Sequence, residues 1–147
     1  MEPTTTPLHD DVEIGDPLPE LTVEVTTTIV VTGALASRDF YPGHHDKEYA
    51  RRAGMQDVFM NILTTNGWLG RYLTDWAGPD AVLDRLSLRL GVPNYPGDAW
   101  TLTGTVVDKR VEDGRGLVDI DVVGRNPRGN HVTARAVVDL PLRKDGR

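Results

Sequence analysis

One segment restricts the fold more than any other. From Asn61 to Ala77 the apolar residues Ile62, Leu63, Trp68, Leu69, Tyr72, Leu73 and Trp76 recur at helical spacing, and Gly78-Pro79 stops the run. They occupy more than one face, so this helix is expected to be buried on several sides. Gly67 and Gly70 inside it cost roughly 1 kcal/mol each relative to Ala, which predicts that something approaches the backbone closely there. After Asp80 the apolar period changes from helical to two. Leu86, Leu88 and Leu90 alternate with polar residues, as do Trp100, Leu102, Gly104 and Val106. Val118, Ile120 and Val122 repeat the scheme, and so do Val132, Ala134, Ala136 and Val138. Turn formers separate the runs at Pro96-Gly97, Glu112 to Gly116 and Asn126 to Asn130. The pattern predicts an α+β chain, an antiparallel sheet wrapped around one long central helix.

The N-terminal half is more broken. Thr22 to Val25 reads as a short strand, and Thr26, Thr27 and Thr28 offer an N-cap to a helix running through Ile29, Val30, Leu35 and Ala36. Pro42-Gly43 interrupts, and Asp46 is placed to cap a short helix from Lys47 to Ala53 that Gly54 closes. A length of 147 residues suits one domain and not two. Residues 1–20 read as an acidic, flexible leader, because Pro3, Pro7, Pro17 and Pro19 oppose regular structure. The domain is expected over 21–147.

Composition removes several classes of function. The chain has no cysteine, which excludes disulfides, cysteine nucleophiles and thiolate metal sites. A reducing cytoplasm is its natural home. No apolar run approaches the ~18–20 residues that span a bilayer, so no membrane role is expected. The net charge of −6 is concentrated early: residues 1–37 hold seven acidic side chains and no Lys or Arg. The remainder is close to neutral, without the clustered basic face that nucleic acid requires.

The densest polar cluster is Arg38-Asp39-Phe40-Tyr41-Pro42-Gly43-His44-His45-Asp46, at the break between two helical segments. Asp39 and His44 flank Pro-Gly, so a bend there would bring a carboxylate and an imidazole to one point. Such a pair can hold a water molecule and move protons near neutral pH. A plainer reading has Asp39 ending a helix and His44 filling a loop, and the residues alone leave both open. His44, His45 and Asp46 are neighbours in a loop and rarely would converge on one ion, so no metal site is expected. His9 and His131 read as surface histidines.

The string Ala36-Ser37-Arg38-Asp39 through His44-His45-Asp46, then Glu48-Tyr49-Ala50, resembles the signature of the MaoC-like (R-specific) enoyl-CoA hydratases. That family has a hot-dog fold, and the match puts its catalytic Asp on Asp39 and its catalytic His on His44. Of the Asn-Pro-Ile that precedes the family's His, only Pro42 survives in Tyr41-Pro42-Gly43. The stretches TGALASRDF, HHDKEYA, NILTTNGW, RYLTDWAGP, LRLGVP and VVGRNPRGNHVTA, from about residue 32 to 134, are similar to one branch. That branch comprises the small subunits of heteromeric hydratases in actinobacterial steroid side-chain degradation. Where the wider family has His-Gly at the start of the central helix, this chain has Met60-Asn61. Asn61 still offers a backbone N–H for a thioester oxyanion, although it also reads simply as an N-cap.

The resemblance implies hydration of a trans-2-enoyl-CoA carrying a steroid with a three-carbon side chain. It implies no cofactor, since CoA belongs to the substrate. It further implies a larger MaoC-like partner subunit fused to a DUF35-type domain, and an aldolase that takes the product. Two other classes stand beside it: a catalytically silent hot-dog subunit that completes a partner's acyl-CoA site, and an acyl-CoA thioesterase.

Overall fold

The computed structural model describes residues 5–143. Three helices, α1 (Thr27–Ala36), α2 (Lys47–Arg52) and α3 (Ile62–Ala77), are joined to five strands. The strands are β1 (Pro17–Glu24), β2 (Val82–Leu90), β3 (Ala99–Glu112), β4 (Arg115–Asn126) and β5 (Gly129–Leu140). They form one antiparallel sheet in the order β1-β3-β4-β5-β2. The expected α+β arrangement is present, with the sheet curled around α3.

Register explains how the helix is seated. Leu88, Ala134, Val122, Gly104 and Leu18 stand side by side across all five strands. A Cβ on Gly104 would lie 3.1 Å from the Tyr72 hydroxyl, so the bare position admits that ring to the sheet. Leu69, Tyr72, Leu73 and Ala77 of α3 are buried against Trp100, Leu102, Val106, Ile120 and Val138. Truncating Leu73, which is fully buried, to Ala would cost about 2–5 kcal/mol.

Three expectations are corrected. First, α3 is buried on one side only: Ile62 and Leu63 are exposed, and Trp68 and Trp76 are partly so. Second, nothing lies within 4 Å of a Cβ placed on Gly67 or Gly70; the close approach is at Gly33 of α1, where a Cβ would collide with the Thr64 side chain. Third, the boundary drawn at residue 20 falls inside β1, and the segment before it is docked. The His9 N–H donates to the Pro141 carbonyl, Val12 joins the core, and the Val106 carbonyl accepts from Gly15. The prolines did not prevent this, because Pro17 and Pro19 lie on the edge strand of the sheet, where a missing donor is tolerated. Met1–Thr4 lie outside the described residues. Among those described, no helix is long and apolar enough to cross a membrane.

Candidate active site

Asp39 is aimed by the end of α1. The Arg38 N–H donates to the Leu35 carbonyl and the Asp39 N–H to the Ala34 carbonyl, the paired bonds of a Schellman cap. Arg38 occupies the left-handed position with φ 58°, where glycine is usual, and Asp39 follows it out of the helix. Tyr41 N–H then donates to Asp39 Oδ1 at 3.3 Å. Pro42–His44 make one tight 3-10 turn. Gly43 is required there, since a Cβ would lie 2.5 Å from the Tyr41 ring and 2.9 Å from Phe59.

This turn brings the two expected residues together, with His44 Nε2 3.4 Å from Asp39 Oδ2. His44 Nδ1 lies 2.7 Å from the Phe59 carbonyl, which can only accept, so Nδ1 carries the proton. Nε2 is therefore the unprotonated nitrogen, and it faces Asp39. The ring is buried, packed edge-on against Phe59 and Tyr41. His45 is exposed beside the Phe40 carbonyl, and Asp46 caps α2 by accepting from the Tyr49 N–H. Among the described residues no three His, Asp or Glu side chains are grouped as around a metal ion.

Asn61 serves as N-cap of α3: its Oδ1 accepts from the Thr64 N–H at 3.0 Å. Its Nδ2 donates to Asp39 Oδ2 and to Ser37 Oγ, both at 3.0 Å. The cap and the cavity lining thus share one residue, and neither Ser37 nor the side-chain amide of Asn61 is marked by any sequence pattern. The Asn61 amide, with smaller help from the Tyr41 N–H and the His44 ring, holds the Asp39 carboxyl below its usual value despite desolvation. Among the described residues nothing accepts a hydrogen bond from the Asn61 backbone N–H.

Asp39, His44 and Asn61 line a cavity of about 430 Å³, within the range of small-molecule sites. Met55, Phe59, Met60 and Ile62 supply apolar wall beside them, and Leu90–Pro93, from the last residue of β2 onward, form a second stretch of wall. A buried polar network fixes that second wall. Asn126 Nδ2 donates to the Pro93 carbonyl and to Asn94 Oδ1, and Met60 N–H donates to the Asn94 carbonyl.

His131 also lines this cavity and is 1% exposed, which corrects its reading as a surface histidine; His9 is buried too, at 5%. His131 Nδ1 meets the Val92 carbonyl at 2.7 Å and His131 Nε2 the Thr65 hydroxyl at 2.9 Å. The pairing steps from Gly124↔Val132 to Arg125↔Asn130, which leaves His131 as the extra residue of a β-bulge. A bulge re-aims its side chain, so strict alternation could not have revealed that His131 faces inward.

No protein-family model matches the chain. It is 48% identical over 130 residues to the 3-oxo-4,17-pregnadiene-20-carboxyl-CoA hydratase beta subunit of Mycobacterium tuberculosis, covering 88% of this chain and 96% of that protein. The chain belongs to the MaoC-like enoyl-CoA hydratase family. A crystal structure of the ChsH1-ChsH2 complex from Mycobacterium tuberculosis contains a chain similar to it, with TM-score 0.81 and 46% identity over 87% of this chain and 98% of that one. A MaoC-like dehydratase from Rhodospirillum rubrum has TM-score 0.79 at 22% identity, over 92% and 97% of the two chains. R-hydratase PhaJ1 from Pseudomonas aeruginosa has TM-score 0.81 at 19%, over 95% and 92%. These last two share the hot-dog fold of this MaoC-like chain.

Proposed function

We propose that this chain is the small, catalytic subunit of a heteromeric enoyl-CoA hydratase. The observation that carries the reading is the Asp39–His44 pair on the cavity wall, 3.4 Å apart and attached to the N-terminus of α3 through Asn61. Water bound between the Asp39 carboxylate and His44 Nε2 donates one hydrogen to each. Its oxygen bonds to the β-carbon of the enoyl thioester as the π electrons move toward the carbonyl. The Asn61 backbone N–H, at the positive end of the α3 dipole, takes the charge that develops on the thioester oxygen. Nε2 accepts the water proton and passes it to the α-carbon, giving a β-hydroxyacyl-CoA and restoring the neutral imidazole. The reaction needs no cofactor beyond the CoA that the substrate carries.

The 48% identity to a steroid hydratase subunit supports a steroid acyl group with a three-carbon side chain. The two-protein complex formed by a similar chain supports a partner, which we take to be a larger MaoC-like subunit with a DUF35-type domain. An aldolase would consume the product, all in the cytoplasm. Two features of this chain suit a partner: the exposed side of α3 at Ile62 and Leu63, and the open space over Gly67 and Gly70.

The test is hydration of 3-oxo-4,17-pregnadiene-20-carboxyl-CoA by the chain alone and co-expressed with its partner. Turnover is expected only from the pair. A fully active homodimer removes the heteromeric reading, and release of free CoA in place of hydration replaces the hydratase by a thioesterase. Hydration by the pair that survives loss of Asp39 and His44 leaves this chain a silent subunit.

A further inference from the structure

We propose that the side chain of Asn61 is a positioning residue, one amide that sets the Asp39 carboxylate in register with the N-terminus of α3. This rests on Asp39 as the residue that holds the reacting water. Capping alone does not call for Asn: Ser, Thr or Asp would satisfy the Thr64 N–H through one oxygen. Asn differs from these in carrying two further donors, and both are used, on Asp39 Oδ2 and Ser37 Oγ. Asn61 is 2% exposed, so no solvent competes for them.

The direction of every bond in this chain is determined. The carbonyl oxygen must face the Thr64 N–H, which can only donate, so the NH2 faces the carboxylate. Ser37 Oγ–H is directed to the carbonyls of Gly33 and Ala34, which can only accept, so toward Asn61 the hydroxyl must accept. The last turn of α1 and the first turn of α3 are therefore joined through this amide. The titratable group facing Asp39 is His44, from the 3-10 turn; among the described residues no Lys or Arg pairs with it. Asn61 thus stabilises the ionised carboxylate without neutralising it, which leaves it able to hold water.

Hydration of a conjugated thioester needs two events at once, attack at the β-carbon and charge at the carbonyl oxygen. Their separation is set by the substrate, so the water site and the N–H site must be held at a matching separation. Asn61 carries the N–H on its backbone and fixes the carboxylate with its side chain. A misplacement of about 1 Å between such groups costs on the order of 10²-fold in rate.

Two variants, Asn61→Asp and Asn61→Ser, keep an oxygen for the helix cap while removing the amide donors. They are measured in the full chain with its partner on 3-oxo-4,17-pregnadiene-20-carboxyl-CoA, with the thermal midpoint as control for folding. Asn61→Asp is expected to lower kcat about 10²-fold with little change in KM, and to raise the acid limb of the kcat profile by about one pH unit or more. Asn61→Ser shifts both in the same direction by less. If the active complex is not obtained, carbon NMR titration of the Asp39 carboxyl in the full chain reads the same upward shift. An unmoved Asp39 titration, or kcat within about threefold of wild type in both variants while Asp39→Asn is inactive, overturns the proposal. Wild-type turnover by Asp39→Asn instead removes the catalytic reading of Asp39, and the role of Asn61 with it.

Discussion

His44 and His131 line one cavity and are held in the same way, yet their second ring nitrogens meet different partners. Each presents Nδ1 to a backbone carbonyl at 2.7 Å, Phe59 for His44 and Val92 for His131. Each ring is buried against an aromatic neighbour, Phe59 or Trp100. The difference lies at Nε2. In His131 it meets the Thr65 hydroxyl at 2.9 Å, and that donor satisfies it. In His44 it faces a carboxylate across 3.4 Å, two acceptors that need a proton-bearing group between them. A saturated imidazole ties α3 to the Leu90–Pro93 wall, whereas an unsaturated one can take a proton. The partner of the free nitrogen, rather than burial, is what distinguishes the two histidines.

The largest effect should come from the unsaturated side. Asp39→Asn and His44→Ala are each expected to lower hydration by about 10²- to 10⁴-fold, measured as kcat, while substrate binding and assembly survive. His131→Ala should do the reverse: it strands the Val92 carbonyl and leaves a cavity, costing about 2–4 kcal/mol in denaturant unfolding. Turnover that collapses in His131→Ala at unchanged stability would break the comparison.

Helix contacts come next. Gly33→Ala forces a methyl against Thr64 and should cost about 1–3 kcal/mol. Gly67→Ala and Gly70→Ala meet open space and should each stabilise the isolated chain by about 1 kcal/mol. If those same variants lose the partner in co-purification, the open space belongs to the interface; retention of the partner moves the interface elsewhere.

A pH effect separates the histidines further. Desolvation holds the His131 pKa below 6.5, a pull that the Val92 carbonyl and Asp98 only partly offset. Its unfolded form therefore binds more protons than the folded one below about pH 6.5, and folding stability should fall as pH drops through that window. His131→Gln should remove this slope in unfolding curves taken at several pH values, and a slope that persists assigns it to another group. Carboxylates such as Asp39, held below 3.8, lose their contribution only at lower pH. The smallest effect is that of Arg38→Gly, expected to stabilise by up to about 1 kcal/mol by relieving the left-handed backbone.

Much of the fold was legible because it depends on local rules. Thr26, Asp46 and Asn61 cap the three helices as their side chains allow, and Gly78 ends α3. The four later strands occur where the apolar period is two, and Asp39 and His44 meet because a short turn built on Pro42-Gly43 can bend only so far. The first strand is longer than its local pattern indicates, and the segment before it is docked. Its stability comes from pairing with β3 and from Pro141, neither of which is near in sequence.

The sequence by itself therefore determined the class of fold, the helix caps and the two residues that face each other across the bend. These follow from dihedral preferences and from neighbours a few residues apart. Tertiary structure alone decided the rest: the bulge that turns His131 inward, the Leu90–Pro93 wall, and the Asn61 amide on Asp39. Those contacts join groups 22 to 66 residues apart, and their geometry depends on how the sheet closes around the helix. No local pattern encodes the distance between two such groups.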